Sequence, residues 1–212
     1  MNIANKLVTI AENEEKVYNA GYIVGYDVGC GEGEYVERKK MWGVFQNNGG
    51  GANYRYAFCY SRFTDETFNP THDIVCTNVD SSAQYMFYQS PITDTKVAIY
   101  APNTNITYAF RDSDIKIIRF LSVYETTEYT GAFTGCSNLE EIRFGGTIGQ
   151  NISFAPCSKL SDASQDDIIE HLKDLTGSTS KTLTVHKTVY DKMVASGKDT
   201  LVTAKNWALA KG

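Results

Sequence analysis

Four phenylalanines, Phe87, Phe110, Phe133 and Phe154, follow one another at intervals of 23, 23 and 21 residues. A bulky ring that returns at a near-constant interval predicts repeated units that set their rings in one column. Two units are near copies over a longer stretch, Phe133-Thr-Gly-Cys136-Ser-Asn-Leu139 and Phe154-Ala-Pro-Cys157-Ser-Lys-Leu160. Ala precedes Phe at Ala57-Phe58, Ala109-Phe110 and Ala132-Phe133. After each turn a strand is expected; Ile115–Phe120 aligns with Leu139–Phe144, and Ile92–Val97 is a weaker copy. One such unit cannot bury its own apolar face, so the pattern predicts a short solenoid of about four stacked units. Its interior ladders are the Phe and the first and last apolar residues of each strand. Cys136 and Cys157 share one interior column with Ser113 and Ser90 in the weaker copies, which makes them packing residues rather than nucleophiles.

The flanks have a different texture. Ile3, Leu7, Ile10, Val17 and Val24 fall on a 4-3 spacing, a narrow apolar stripe on a short helix. Gly21, Gly25, Gly29 and Gly33 recur at every fourth position and form a smooth ridge if helical, which offsets the low helix propensity of each Gly by close backbone approach. Residues 1–46 therefore read as a helical attachment or self-association segment, with Ile3, Leu7, Ile10, Val17, Gly21, Gly25 and Gly29 as its contact residues. Asn47–Asn53 is an Asn/Gly linker, and 54–163 is the repeat region. Residues 164–212 read as a C-terminal α/β cap that opens on Ser164-Gln-Asp-Asp167 as helix N-cap and acidic first turn. Ile168, Ile169, Leu172 and Leu175 supply its helical face, Thr182–His186 a strand, Thr188–Ala195 a last helix, and Trp207 a plug against the core. The fold class expected is α+β: an N-terminal helical segment, an irregular β-solenoid and an α/β cap.

Composition narrows the function. A hydrophobic fraction of 42% supports a packed core. A net charge of −5 argues against nucleic acid as a partner, because phosphate neutralisation needs a basic surface. No run of apolar residues is long enough to insert in a membrane, and the start lacks the pattern of a secretory signal. Five Cys, an odd number, fit buried free thiols made in a reducing cytoplasm better than a disulfide framework. Fourteen Tyr favour recognition, since the ring offers rigid contact area with a polar tip.

Candidates for chemistry are few. Tyr26-Asp-Val-Gly-Cys-Gly-Glu-Gly33 resembles the glycine-rich first motif of S-adenosylmethionine-dependent methyltransferases, so an enzyme using Asp27–Gly33 is the sharpest alternative. Its context lacks the βαβ unit that such a loop needs. His72, His171 and His186 have no Cys or carboxylate at metal spacing. Asp65-Glu66 lies in a turn, and Asp166-Asp167 is explained by a helix N-terminus. No cofactor, metal or catalytic residue is expected. Alternation along the aligned strands places Lys96, Arg119 and Arg143 outward at equivalent positions, a candidate row for an anionic glycan or a solvated face balanced by Glu140 and Glu141.

The strings Gly131–Ile142 and Phe154–Leu160 resemble BspA-type leucine-rich repeats. The ordered set Ile10–Tyr18, Gly21-Tyr22, Gly25-Tyr26, Trp42–Gly49, Tyr56–Phe58, Thr64–Phe68 and Gly146–Gln150 is similar to proteins encoded by phages and prophages of Gram-positive gut bacteria. That resemblance implies a virion or tail-associated, non-enzymatic structural or adhesin-like binding protein. Its implied partners are further copies of itself, other virion proteins, and a bacterial surface glycan or protein. A cytosolic interaction scaffold is the third reading, since fold alone does not supply function.

Overall fold

The structure, a computed structural model, describes residues 57–59, 65, 66, 68, 70, 73–76, 83–101 and 105–212. The stripe and ridge from Ile3 to Gly29, the Asp27–Gly33 motif, and the Asn47–Asn53 linker lie outside the described residues. Within them the chain is mixed α/β with two small parallel sheets. The first sheet holds β1 (Ile74–Val75), β2 (Ala98–Tyr100), β3 (Ile117–Val123) and β4 (Glu141–Gly146), neighbours in sequence order. The second holds β5 (Ile152–Phe154), β6 (Lys181–Val185) and β7 (Trp207–Lys211). Helix α1 (Asp162–His171) links β5 to β6, and α2 (Lys187–Ala195) with α3 (Lys198–Ala204) links β6 to β7.

Parallel strands that are adjacent in sequence need a return path, and the phenylalanine turns provide it. Their rings form one buried column: Phe87 to Phe110 at 5.5 Å, Phe110 to Phe133 at 5.7 Å and Phe133 to Phe154 at 4.6 Å between centroids. Phe58 adds a fifth ring 4.8 Å from Phe87. Backbone bonds tie the turns together beside the rings, from Phe58 N to Met86 O, Phe87 N to Ala109 O, and Phe110 N to Ala132 O. The expected column of first strand residues, Ile92, Ile115 and Leu139, is fully buried. Ser90, Ser113, Cys136 and Cys157 are buried in one further column, where Ser113 Oγ and Cys136 Sγ both donate to the carbonyl of Phe110.

One strand departs from the expected alternation. Ile117 and Ile118 pair with Glu141 and Ile142, but the next register partners are Leu121 and Phe144. Arg119 and Phe120 thus stand against Arg143 alone, a bulge that turns both outward. Leu121 takes the inward place opposite Phe144, and Phe120 is only partly buried. The ladder of last strand residues therefore runs through Leu121, not Phe120. Sequence alignment without the bulge assigns that place to the wrong residue.

The free edge of β4 is closed by side chains of α1. Ser161, not Ser164, is the N-cap, and its side chain accepts from Ser164 N. Ser164 sits one turn in, where its Oγ accepts from Ile142 N at 3.0 Å. Asp167 Oδ2 accepts from Phe144 N at 2.7 Å. Two acceptors on one helix face thus stand where the backbone carbonyls of another strand would be, which closes an edge otherwise open to pairing. Removing a charged acceptor from a buried N–H costs about 2–3 kcal/mol. Asp167→Ala is expected to lower stability by about that amount in urea unfolding and Asp167→Asn by about half as much, since the amide oxygen still accepts.

Helix α1 ends at His171, earlier than its apolar pattern suggests; Leu172 and Leu175 are buried beyond the helix. Lys205 Nζ satisfies its last carbonyls, donating to Ile169, Glu170 and Leu172 at 2.8–2.9 Å. Trp207 is buried, and its Nε1 donates to Lys173 O at 2.8 Å. Its strand β7 and helix α3 are elements that the sequence pattern did not reveal.

Candidate functional site

The outer face of the four-stranded sheet carries two rows. Lys96, Arg119 and Arg143 are all exposed, each projecting beside a buried inward residue, Thr95, Ile118 and Ile142. Lys96 has a left-handed backbone (φ 58°), which opens the strand just before β2. Each cation is already engaged. Arg119 holds Asp94 bidentately, Nε to Oδ1 at 3.0 Å and Nη2 to Oδ2 at 2.5 Å. Arg143 Nη1 donates to Ala163 O at 3.2 Å and lies 3.6 Å from Asp167. Lys96 Nζ donates to the carbonyls of Asp65 and Phe68. The carboxylates in direct contact are Asp94, from the preceding turn, and Asp167, from α1, while Glu141 adds a longer-range charge interaction with Arg119.

Beside the cations runs an apolar row that sequence reasoning missed. The register aligns Val75 with Tyr100, Tyr100 with Ser122, and Ser122 with Gly145. Val75 is 40% exposed and Tyr100 38%. Phe120, turned outward by the bulge, lies 5.8 Å from the Tyr100 ring. A Cβ on Gly145 would stand 2.2 Å from Phe120 Cζ, so glycine is what leaves room for the tip of this ring over β4. Val75 directly after Ile74 and Tyr100 directly after Ile99 are the sequence signal for this row, since strand alternation sends them outward.

The groups considered for catalysis have structural work. Burial pushes the Cys136 thiol up to about 12, and raises those of Cys76 and Cys157 further. Thiols held protonated are poor nucleophiles. His186 caps α2 by accepting from Thr188 N at 3.1 Å, and His171 Nδ1 meets Asp167 O at 2.8 Å. The Asp65 carboxylate accepts from both the N–H and the hydroxyl of Thr93. Asp166 pairs with Lys198 at 2.7 Å. Among the described residues no group of three or more His, Cys, Asp or Glu is placed to hold a metal. His72 lies outside the described residues.

No family model, curated protein or solved structure matches this chain. Among the described residues no helix is long and apolar enough to cross a membrane.

Proposed function

We propose that this chain is a non-enzymatic binding protein built as a short leucine-rich-repeat-type solenoid, and that it serves as a structural or adhesin-like part of a phage virion, at the tail. The single observation carrying the binding role is the outer sheet face, where Val75, Tyr100 and Phe120 lie beside Arg119 and Arg143. Aromatic and Arg side chains are the residues that anchor protein recognition. The stacked Phe column and the shared Ser/Cys column support the repeat reading. Virion placement rests on the resemblance of the ordered segments from Ile10 to Gln150 to phage-encoded proteins. In this reading residues 1–46 attach the chain to further copies of itself and to other virion proteins, and the sheet face meets a protein or glycan of the host surface.

Co-sedimentation of the full chain with intact Gram-positive cells tests the face. Val75→Ser/Tyr100→Ser/Phe120→Ser is expected to weaken retention by roughly tenfold or more, the loss typical of removing anchor side chains. Retention equal to the parent would remove the sheet face as the binding surface. Mass spectrometry of purified phage particles tests the placement: peptides of this chain are expected there, and particles without them overturn the virion reading.

A further inference from the structure

The interval that shortens from 23 to 21 residues has a structural meaning. In the turns before Phe110 and Phe133 the chain passes an inward residue, Ile106 or Tyr129, then a left-handed residue, Tyr108 (φ 56°) or Gly131 (φ 60°), before reaching the ring. The inward residue and the ring are four positions apart. In the next unit Ile152 and Phe154 are only two apart, and the chain runs straight between them as β5. Two residues are lost, the left-handed corner vanishes, and a compact turn becomes an extended strand.

That change leaves a seam. Backbone bonds link the compact turns, from Ile106 N to Glu128 O and from Tyr108 N to Thr130 O. On the other side β5 pairs regularly with β6. Among the described residues no backbone hydrogen bond joins 128–131 to 150–153. An open cleft of about 500 Å³ lies there, bordered by Glu128–Gly131, Gln150–Ser153, Thr182 and Thr184.

The lining has a distinct chemistry. Ser153 pairs in register with Thr184, and Asn151 stands beside Thr182, whose N–H it accepts at 2.8 Å. Thr130 and Glu128 face them from the compact turn side of the cleft. Lys181 is turned to Gln150 Oε1 at 3.0 Å and is not part of the lining, so Glu128 is the one charged group there. Just outside the lining the Tyr108 ring lies against Gly131, so close that a Cβ on Gly131 would stand 2.4 Å from it. Tyr108 is itself half-buried between Tyr85, 5.1 Å away, and the Arg111 guanidinium. Hydroxyl and amide groups on a strand lattice, one carboxylate acceptor, and a ring edge just outside the lining match a neutral ligand that alternates hydroxyl groups with small apolar faces.

We infer that this cleft binds an uncharged oligosaccharide, two or three sugar units long. Thr130, Ser153, Thr182 and Thr184 exchange hydrogen bonds with sugar hydroxyls, Glu128 accepts from a hydroxyl pair, and Tyr108 packs on the outer ring. The site lies apart from the outer face of the first sheet and does not depend on the role proposed for that face.

Saturation-transfer NMR on the full chain, with cellotriose and tri-N-acetylchitotriose as neutral probes and trigalacturonate as the acidic one, tests the inference. Transfer is expected to at least one neutral trisaccharide. Thr130→Val/Thr184→Val keeps side-chain shape while removing two hydroxyls, and is expected to weaken that binding roughly tenfold or more. Tyr108→Phe is expected to retain it, which separates the ring from the hydroxyl and provides a second folded variant. Absence of transfer to both neutral probes overturns the inference, as does unchanged binding by the Thr130→Val/Thr184→Val variant. Binding of trigalacturonate alone, lost in Lys96→Ser/Arg119→Ser/Arg143→Ser, would place the glycan on the basic row and overturn the cleft.

Discussion

Raising the pH from 8 to 10.5 is expected to remove about 6 kcal/mol of folding stability through three buried thiols. Burial raises Cys76, Cys136 and Cys157, with Cys136 reaching about 12, while an unfolded chain releases thiol protons near pH 9. Above that pH the unfolded state therefore binds fewer protons than the native one, and stability falls as pH rises. Each thiol contributes about 1.4 kcal/mol per pH unit within that window, and nothing well below the unfolded value. The loss continues until the folded thiols themselves ionise. Urea unfolding followed at several pH values reads the slope directly. Cys136→Ser places in that column the residue that Ser113 and Ser90 already supply, so it should fold and flatten the slope by about one third. A flat profile between pH 8 and 10.5 would show that these thiols are not buried.

Phe133→Ala is expected to lower stability by about 4–8 kcal/mol. The ring is fully buried and stacks on two neighbours, Phe110 at 5.7 Å and Phe154 at 4.6 Å. Emptying such a site costs about 3–5 kcal/mol for the cavity and lost transfer energy, and each aromatic pair adds about 0.5–1.5 kcal/mol beyond area. Phe133→Leu keeps much of the volume and should cost about 1–2 kcal/mol. Both variants lose the two ring contacts, so the difference between them in urea midpoint reads the cavity, and the loss in Phe133→Leu against the parent reads the stack. A Phe133→Leu midpoint equal to the parent's would mean that the rings share a column without supporting one another.

The phenylalanine column was legible because rings that return at a near-constant interval are set to meet one another, whatever lies between. The outward direction of Arg119 and Arg143 was legible for a similar reason, since Ile118 and Ile142 fix the inward side. The bulge was not. Phe120 and Leu121 are both apolar, so nothing in their order says which turns in, and the answer depends on pairing with Phe144. The N-cap was ambiguous in the same way: Ser161 and Ser164 are both capping residues, three apart, and their hydroxyls meet at 3.0 Å. Helix α3 buries only Val202, too little for an apolar stripe to appear in the sequence. The apolar half of the outer face escaped notice because its signal, one apolar pair in each of two strands of two and three residues, is short beside the aligned cations.

The closure of β4 by Ser164 and Asp167 has a bearing on how such a chain changes length over generations. On the sheet side those two side chains bond the backbone of β4, at Ile142 and Phe144. A duplicated unit of 23 residues entering beside Phe110 would match the ring spacing on each side, while the same segment placed between Phe133 and Phe154 would break the 21-residue junction. Growth is thereby confined to one side of the molecule, and relatives of this chain should differ in size by whole upstream units while keeping the stretch from Gly131 onward at constant length.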